Sequence, residues 1–520
     1  MADIKSSASH IEWQEEQPQF LQSDQKLGLI GTVKTHWRAL LICSLSFTSG
    51  AMFGCDTIIN SASMAMPAFM LYFGDTNASG LYLPSSWTAL WTSMSALAQA
   101  LSAAGTGVLA DRIGRKWAGI VAGLIAIVGA SVQYTAETRG ALLGGKIVGG
   151  LGIGMAMASG MTYATEVVPP SLVPVVQQAM VVFILIMQAV AMGVIRIFVP
   201  DMAEKAFRTV FAIQWAVGGL VTIAYALAPE SPVYCIIKKR EEPAKKLFRW
   251  LYPDEADRQE RYNHLVKTIE EENSHRQENK ASYIECFQGV NLKRTVTMMF
   301  LFGLVNLGGA PFLSQSIYFL ISVGLPSVHV FDISIGGFGL AIILIIASGF
   351  ALKNVRRRNT LFWGCVVNFT FNLIVGALYY AHGTGPKWGI AILMNVLISL
   401  QASLMQAPGW SIAAEISSYR LRAKSMSLGM MAQTFTTWLV TFIVPYMYNV
   451  DSGNLGARTG LVFAGVSVLL IWGAWSIVPD TTGLSTEDID GLYEAKVPAR
   501  QFAKHHQALH FEGAELTGTA

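Results

Sequence analysis

Near residue 110 the chain contains the polar stretch Asp111-Arg112-Ile113-Gly114-Arg115-Lys116, with a long apolar segment on each side of it. A basic stretch, Arg356-Arg357-Arg358, lies between two other apolar segments in the second half of the chain. Internal repeats of this kind are found in membrane proteins that are built from two related halves. The two loops therefore predict two similar membrane-embedded units in one chain.

The composition indicates that lipid surrounds most of the chain. Hydrophobic residues make up 52% of the 520 residues, charged residues only 14%, and the mean hydropathy is +0.43. A helix that crosses a bilayer needs about 20 mostly apolar residues. Twelve stretches meet this length: residues 39–66, 88–110, 117–136, 140–164, 176–198, 208–228, 295–323, 332–352, 360–381, 388–414, 425–447 and 460–478. These runs lack the two-residue alternation of membrane strands, so they predict an all-α membrane protein.

A polar connector divides the predicted spans into two groups of six. We predict a tail at 1–36, a first bundle at 37–228, the connector at 229–293, a second bundle at 294–479 and a tail at 480–520. The loops rich in Lys and Arg fall on the same side as the connector, and such loops stay in the cytoplasm. We therefore expect both tails to be cytoplasmic, in a multi-pass protein of the plasma membrane.

The first loop, on the expected outer side, contains the acceptor triplet Asn77-Ala78-Ser79. This pattern predicts N-glycosylation at Asn77, and the alternative is an unused sequon.

Several function classes find no support in the sequence. The five cysteines have neither the spacing of a metal site nor that of a disulfide framework. The net charge of +3 is explained by the basic loops and predicts no nucleic-acid partner. No Walker loop or nucleophile motif is present, and the glycine run from Gly149 to Gly154 falls inside an apolar segment, where small residues favour close helix packing. We therefore predict no enzymatic activity, no cofactor and no metal.

Several motifs resemble those of the sugar porter family of the major facilitator superfamily. They are Asp111-Arg112 with Gly114-Arg115-Lys116, Pro229-Glu230-Ser231-Pro232, Glu415 with Arg420-Leu421-Arg422-Ala423-Lys424, and Pro479-Asp480-Thr481-Thr482-Gly483. They occur in the family's order over residues 37–502. Two finer stretches, residues 289–295 and 496–502, resemble the fungal maltose and α-glucoside permease branch. The resemblance implies twelve transmembrane helices in two bundles related by a pseudo-two-fold axis, which carry a small molecule by alternating access.

The resemblance also implies that the loop motifs hold one conformation of the transporter. The matching gating residues are Asp111, Arg112, Gly114, Arg115, Glu166 and Glu230 in the first half, and Arg357, Glu415 and Arg422 in the second. Glycine permits a tight turn after a helix end, and charges there can exchange partners as the halves move. The alternative is that these charges only determine topology. The second loop, residues 352–356, lacks an acidic residue, so we expect a weaker latch there.

Two charges lie inside predicted spans, where an ionisable group costs roughly 2.5 to 3.5 kcal/mol. Asp56 falls in the first span and Lys146 in the fourth, and both match positions that proton-coupled members of the family use. Protonation of the carboxylate would release such a pair and link proton binding to the motion of the halves. The alternatives are a structural Asp56 and a Lys146 that extends to the membrane surface.

Sugar recognition needs several hydrogen-bonding side chains and an aromatic plate. The resemblance places Gln188, Asn306, Trp410 and Gln433 at the family's sugar contacts, although each alone also fits a lipid-interface tryptophan or an interhelical amide. The seventh helix departs from the family pattern, because Val305 and Pro311 stand where amides are usual. We therefore expect a substrate less polar than glucose or maltose, or a glycoside with an apolar part.

Three functions remain open. The leading one is secondary transport of a sugar or glycoside, with protons as the second transported species and the lipid bilayer as the surroundings. The second is export of a small specialised metabolite, which the lost amides of the seventh helix favour. The third is a sugar sensor that does not transport, against which the short C-terminal tail argues.

Overall fold

The computed structural model describes residues 28–77, 80–169, 172–278, 283–322, 324–351, 355–417, 421–482, 484, 486–495 and 497–502. Most of the two predicted tails therefore lies outside the described residues. Within them, the first half of the chain forms six long helices. They are α1 (Trp37–Ala62), α2 (Ser85–Ile113), α3 (Arg115–Thr135), α4 (Arg139–Val167), α5 (Val173–Phe198) and α6 (Glu204–Leu227).

The second half repeats this pattern, but two of its six helices are interrupted. Helix α7 consists of Gly289–Leu307, Ala310–Ser314 and Ser316–Ser322, and α10 consists of Thr384–Gln401 and Ala407–Ile416, joined by a π-helical turn at Ala402–Gln406. The uninterrupted helices are α8 (Ser327–Ala351), α9 (Arg357–Leu378), α11 (Arg422–Tyr448) and α12 (Thr459–Ser476). The predicted all-α fold with two groups of six helices is confirmed.

Short elements fill the connections. The first loop carries a 3-10 turn (Ser63–Ala65), a helix (Pro67–Phe73) and an antiparallel hairpin of β1 (Asp75–Asn77) and β2 (Gly80–Tyr82). The connector forms helices Pro232–Ile237, Glu241–Leu251 and Glu255–Glu278 and a 3-10 turn Ile284–Phe287. The remaining short helices are Gly28–Thr35, Gly456–Arg458, Thr486–Glu494 and Ala499–Gln501.

Eleven helices of the described chain are long and apolar enough to cross a membrane. The exception is α2, which has 29 residues but is rich in serine, threonine, alanine and glycine. It packs against α4 on one side and against α11 of the other half on the other. A Cβ on Gly150 of α4 would lie 2.7 Å from the Ser95 carbonyl oxygen of α2, so the small residues let the two backbones approach closely.

Helix α7 breaks where its sequence cannot continue a helix. Gly309 adopts a left-handed conformation with φ of 98°, which glycine accepts without strain. Pro311, two residues later, has no backbone N–H to donate to the Leu307 carbonyl one turn earlier. At this break the Gly308 carbonyl accepts hydrogen bonds from side chains of neighbouring helices.

The connector lies against one end of the first bundle, which we call the connector face. Buried Leu247, Phe248 and Leu251 of its second helix pack beneath α1, and the Arg38 guanidinium donates to the Trp250 carbonyl at 2.9 Å. The Tyr234 hydroxyl donates to the Arg112 carbonyl at the end of α2. The other end of the molecule, where α1 ends and α2 begins, is called the opposite face.

The two halves meet along α2 and α11 and along α5 and α8. At the opposite face they are also joined by polar contacts. Asp451 accepts hydrogen bonds from the Ser85 backbone N–H at 2.8 Å and from the Ser85 hydroxyl, and the Leu83 N–H donates to the Tyr318 hydroxyl at 3.1 Å. Arg196 of α5 forms an ion pair of 2.6 Å with Asp332 of α8. These contacts hold the halves together at this face.

Candidate functional site

The two predicted intramembrane charges lie in one buried polar network. Asp56 of α1 and Lys146 of α4 are 2% and 1% exposed. Asn60, one helical turn after Asp56, stands between them. Its amide nitrogen donates to Asp56 Oδ2 at 2.8 Å, and its Oδ1 accepts from Lys146 Nζ at 2.5 Å. The charges are therefore joined through a neutral amide.

A third helix contributes to the same network. Gln99 of α2 donates from its Nε2 to Asp56 Oδ2 at 3.2 Å. Lys146 also donates to the Asn60 backbone carbonyl at 3.4 Å, so its ammonium points into the bundle and does not extend to the membrane surface. A buried charge needs such partners because desolvation is costly. Asn60 and Gln99 were not anticipated from the sequence, since neutral amides inside apolar helices carry no charge signal.

The four predicted substrate residues line two adjoining cavities. Asn306, Trp410 and Gln433 line a cavity of about 290 Å³ in the second half. Gln188 lines a second cavity of about 150 Å³, whose walls come from α1 and α5 of the first half and from α7, α8 and α10 of the second. The two cavities share the wall residues Ser314, Ile398 and Ala402.

The second cavity borders the charged network. Thr57 and Ser61 of α1 line it, and each follows directly in sequence a member of the network, Asp56 or Asn60. The charged network and the smaller cavity therefore share two successive turns of α1.

The larger cavity combines an aromatic wall with amides. The Trp410 ring lies 5.9 Å from the Phe302 ring, centroid to centroid, and the side chain is 37% exposed. The Asn306 amide donates to the Gln433 backbone carbonyl at 3.2 Å. The Gln433 Oε1 atom is buried and has no hydrogen-bond partner among the described residues.

The cavities contain further polar groups that the motif comparison did not anticipate. They are Ser334, Asn395 and Ser399 in the smaller cavity and Gln401, Gln406, Thr437 and Thr441 in the larger one. These side chains come from α8, α10 and α11, so they offset the amides missing from α7. The described lining residues of both cavities include no charged side chain. An uncharged polar ligand suits such a lining.

Three buried amides converge on the break in α7. The Gly308 carbonyl accepts from Asn368 at 3.1 Å, from Gln401 at 3.2 Å and from Asn372 at 3.4 Å. All three side chains are 2% exposed or less. The donors from α9 and α10 satisfy a carbonyl that the broken helix leaves without a regular partner.

The loop motif of the first half forms a compact ion-pair cluster at the connector face. Gly114 has φ of 104°, and α3 begins directly after it. Glu230 accepts from the backbone N–H of Arg115 at 2.9 Å and of Lys116 at 3.1 Å, so its carboxylate caps the positive end of α3. The Arg115 guanidinium contacts Glu166 at 2.9 Å and Asp111 at 3.1 Å.

The second half has a smaller cluster. Arg357 forms an ion pair with Glu415, and the Arg357 N–H donates to the Thr482 hydroxyl at 3.1 Å. The Arg422 side chain lies outside the described residues, as do Lys353 and Asn354. Arg115 contacts both Asp111 and Glu166, whereas the described ion pair of Arg357 is with Glu415.

The predicted glycosylation site and the cysteines complete the set of residues named from the sequence. Asn77 ends β1, but its side chain and residues 78–79 lie outside the described part of the chain. All five cysteines are buried and free of disulfides. Within the described residues, no group of three or more His, Cys, Asp or Glu side chains is placed to hold a metal ion.

Comparisons with known proteins agree on one family. The family model described as "Sugar (and other) transporter" matches residues 42–493. The MFS transporter fmqE of Aspergillus fumigatus is 42% identical over 512 residues, covering 96% of this chain and 94% of that protein. The general alpha-glucoside permease of Saccharomyces cerevisiae is 27% identical over 475 residues, covering 90% of this chain and 77% of that one.

A solved structure shares the fold. The inward open conformation of the xylose transporter XylE from E. coli superimposes with a TM-score of 0.70 at 17% identity, covering 87% of this chain and 99% of that chain. The likeness shows the all-α architecture of two six-helix bundles.

Proposed function

This chain belongs to the sugar transporter family of the major facilitator superfamily, and from that premise we propose that it carries a sugar or glycoside across the plasma membrane together with protons. The observation that carries this proposal is the pair of uncharged polar cavities that borders the Asp56–Asn60–Lys146 network. The cavities supply hydroxyls, amides and one tryptophan, which suit a neutral ligand with several hydroxyl groups. The relative from Saccharomyces cerevisiae is an alpha-glucoside permease by name, which supports the same ligand class.

Proton coupling rests on the chemistry of the network. While Asp56 is ionised, it accepts from Asn60 and Gln99 and balances the buried charge of Lys146. Protonation removes that charge and weakens both hydrogen bonds. The residues next to Asp56 and Asn60, Thr57 and Ser61, line the cavity, so proton binding and ligand binding act on the same turns of α1. Uptake should therefore increase as the external pH falls.

The basic loops support a cytoplasmic connector face, with both tails on that side. The contacts Ser85–Asp451 and Arg196–Asp332 then hold the two halves together on the outer side. In our proposal the Arg115 and Arg357 clusters brace the cytoplasmic ends of their own halves during the motion between states.

The proposal is tested by uptake of labelled glucose and maltose at pH 5 and pH 7, in a host without sugar carriers of its own. We expect saturable uptake that is faster at pH 5. In Asp56→Asn, accumulation against a gradient should be lost, while exchange of sugar across the membrane persists. Asp254→Asn, an exposed connector carboxylate, is the matched control and should behave as the wild type. No uptake of either sugar at normal surface expression contradicts the proposal.

A second candidate, export of a small metabolite, is favoured by one observation. The smaller cavity has an apolar side formed by Leu185, Met192, Ile317 and Phe338. A ligand with an apolar part fits this side better than a free hexose does. Faster release of a preloaded aryl glycoside from cells that express the protein, together with absent hexose uptake, would favour this candidate.

A further inference from the structure

The larger cavity contains two buried carbonyl acceptors that lack a partner. The Oε1 atoms of Gln401 and Gln433 are both inaccessible to solvent and accept no hydrogen bond from the described residues. Gln401 is only 2% exposed, and both residues line the cavity. A buried acceptor without a donor is unfavourable, because it has lost its hydrogen bonds to water and has gained none in return. A ligand that brings two hydroxyl donors would remove that cost.

The orientation of the Gln401 amide is fixed by its neighbours. Its Nε2 faces two acceptors, the Gly308 carbonyl at 3.2 Å and Asn368 Oδ1 at 2.7 Å. Asn368 cannot reverse its own amide without loss, because its Nδ2 donates to the Ser467 hydroxyl at 2.8 Å and to Gly308. The Nε2 atom of Gln401 is therefore held at the α7 break, and its shielded Oε1 atom can meet a ligand only when the side chain shifts toward the cavity.

We propose that Gln401 forms a ligand subsite at the α7 break. Its Oε1 accepts a hydroxyl of the transported molecule, while its Nε2 holds the Gly308 carbonyl. This inference rests on the proposed function and narrows the substrate class to neutral molecules with two hydroxyl donors placed to reach Gln401 and Gln433. None of the family motifs quoted above includes Gln401.

The position of Gln401 links the ligand to the moving backbone. It is the last residue before the π-helical turn of α10, and it contacts the carbonyl at the break of α7. Both interruptions are places where a helix can bend. A bound hydroxyl restrains the Gln401 side chain and so stabilises one arrangement of the break. Binding of the ligand then shifts the equilibrium between arrangements of α7.

The test measures which sugar hydroxyl Gln401 recognises. D-glucose and its monodeoxy analogues compete with labelled maltose for uptake by the wild type, by Gln401→Met and by Asn368→Leu. Gln401→Met keeps the length of the side chain and removes the amide. Asn368→Leu disturbs the same carbonyl, but Asn368 is not among the residues that line the larger cavity.

In the wild type, one deoxy position should weaken competition about 10-fold, as expected for one lost hydrogen bond. In Gln401→Met, the analogue that lacks this hydroxyl should compete as well as glucose does. The other deoxy analogues should keep the same order of potency as in the wild type. Asn368→Leu removes one of the two acceptors that orient the Gln401 amide, so it should lower the maximal rate and weaken the discrimination at that position less than Gln401→Met does. Gln401→Asn, which keeps the amide on a shorter side chain, gives a second readout if Gln401→Met does not reach the surface, and should also reduce discrimination at that position.

The outcomes separate the two proposals. Maltose uptake with unchanged discrimination in Gln401→Met and Gln401→Asn overturns the subsite and leaves sugar transport standing. Absence of maltose uptake by the wild type at normal surface expression overturns sugar transport and the subsite with it. If competition by glucose and by all its deoxy analogues weakens equally in Gln401→Met, Gln401 has a purely structural role. This result also overturns the subsite.

Discussion

At the opposite face, polar contacts join one half of the molecule to the other, whereas the ion pairs of the loop motifs at the connector face each join residues of one half. Asp451 and Asp332 belong to the second half and bind Ser85 and Arg196 of the first. Arg115, in contrast, binds Glu166 within its own bundle. The opposite face therefore joins the two halves to each other, whereas the ion pairs at the connector face stabilise each half by itself.

Because of this difference, substitutions at the two faces should change different quantities. If each half moves as a rigid body, contacts within it persist as the halves move, so their loss should lower the free energy of unfolding of that bundle. Contacts between the halves are made in one arrangement only, so their loss shifts the conformational equilibrium and leaves each bundle intact. Stability measurements and accessibility measurements should therefore separate the two faces.

The largest effect is expected for Arg115→Met. The Arg115 side chain is 8% exposed, and its removal leaves the partly buried Glu166 carboxylate without its guanidinium partner. Breaking such a pair from one side costs about 3 to 5 kcal/mol. We expect a clearly lower Tm of the purified protein and reduced surface expression. An unchanged Tm would contradict the assignment of this cluster to the stability of the first bundle.

The next effect is expected for Gly114→Ala. A Cβ at this position would meet the Glu230 carboxylate, and its φ of 104° is unfavourable for alanine. The cost should be about 1 to 3 kcal/mol, since the cap of α3 is displaced as well. Thermal unfolding checks the value, with Gly107→Ala as the control, because that site on α2 is open. Equal Tm values for the two variants would argue against the strained turn.

At the opposite face, Asp451→Ala should change accessibility rather than stability. It removes the acceptor of two Ser85 hydrogen bonds, a loss of about 1.5 kcal/mol or tenfold in the equilibrium. We expect about tenfold faster labelling of Ser314→Cys, in the cavity wall, by a membrane-impermeant thiol reagent added to intact cells.

The native cysteines should add little background to this measurement. All five are buried, and burial also raises the pKa of the Cys235 thiol in the connector, which lowers its reactivity. If Asp451→Ala lowers the Tm as far as Arg115→Met does and does not accelerate labelling of Ser314→Cys, the distinction between the two faces is wrong.

The smallest effect is expected for Arg196→Gln. The ion pair with Asp332 is partly exposed on both sides, at 38% and 44%, and such exposed pairs contribute little because water and salt screen them. Labelling of Ser314→Cys should accelerate less than about fivefold, and the difference from the wild type should shrink in high salt. An effect larger than that of Asp451→Ala would show that Arg196 holds the opposite face closed.

Much of the fold follows from the sequence because long apolar runs have few alternatives in lipid. The sequence predicts one continuous span over 295–323, although Gly308, Gly309 and Pro311 carry the signal of the break that the structure shows. The π-helical turn of α10 ends just before Pro408, which is a similar signal. The length and hydropathy of a segment decide whether it can span the membrane. Glycine and proline at a few positions decide where the helix bends.

The candidate site was predictable only where it carries charge or matches a motif. Asp56 and Lys146 stand out because few charges occur inside the spans, and they do lie in one network. Asn60, Gln99 and Gln401 were missed because an amide inside a helix looks the same in sequence whether it faces a cavity, a neighbouring helix or lipid. Their roles depend on contacts between residues that are distant in sequence. The pattern of apolar and polar residues along one helix does not show such contacts.

The composition of α2 also has a consequence for how the protein is made. A segment this rich in serine, threonine and glycine gains little by leaving the translocation channel for lipid on its own. We expect it to enter the bilayer only together with a neighbouring helix that covers its polar side. The first bundle would then assemble during synthesis as a group of helices rather than one by one, and damage to α2 would reduce the yield of protein before any transport takes place.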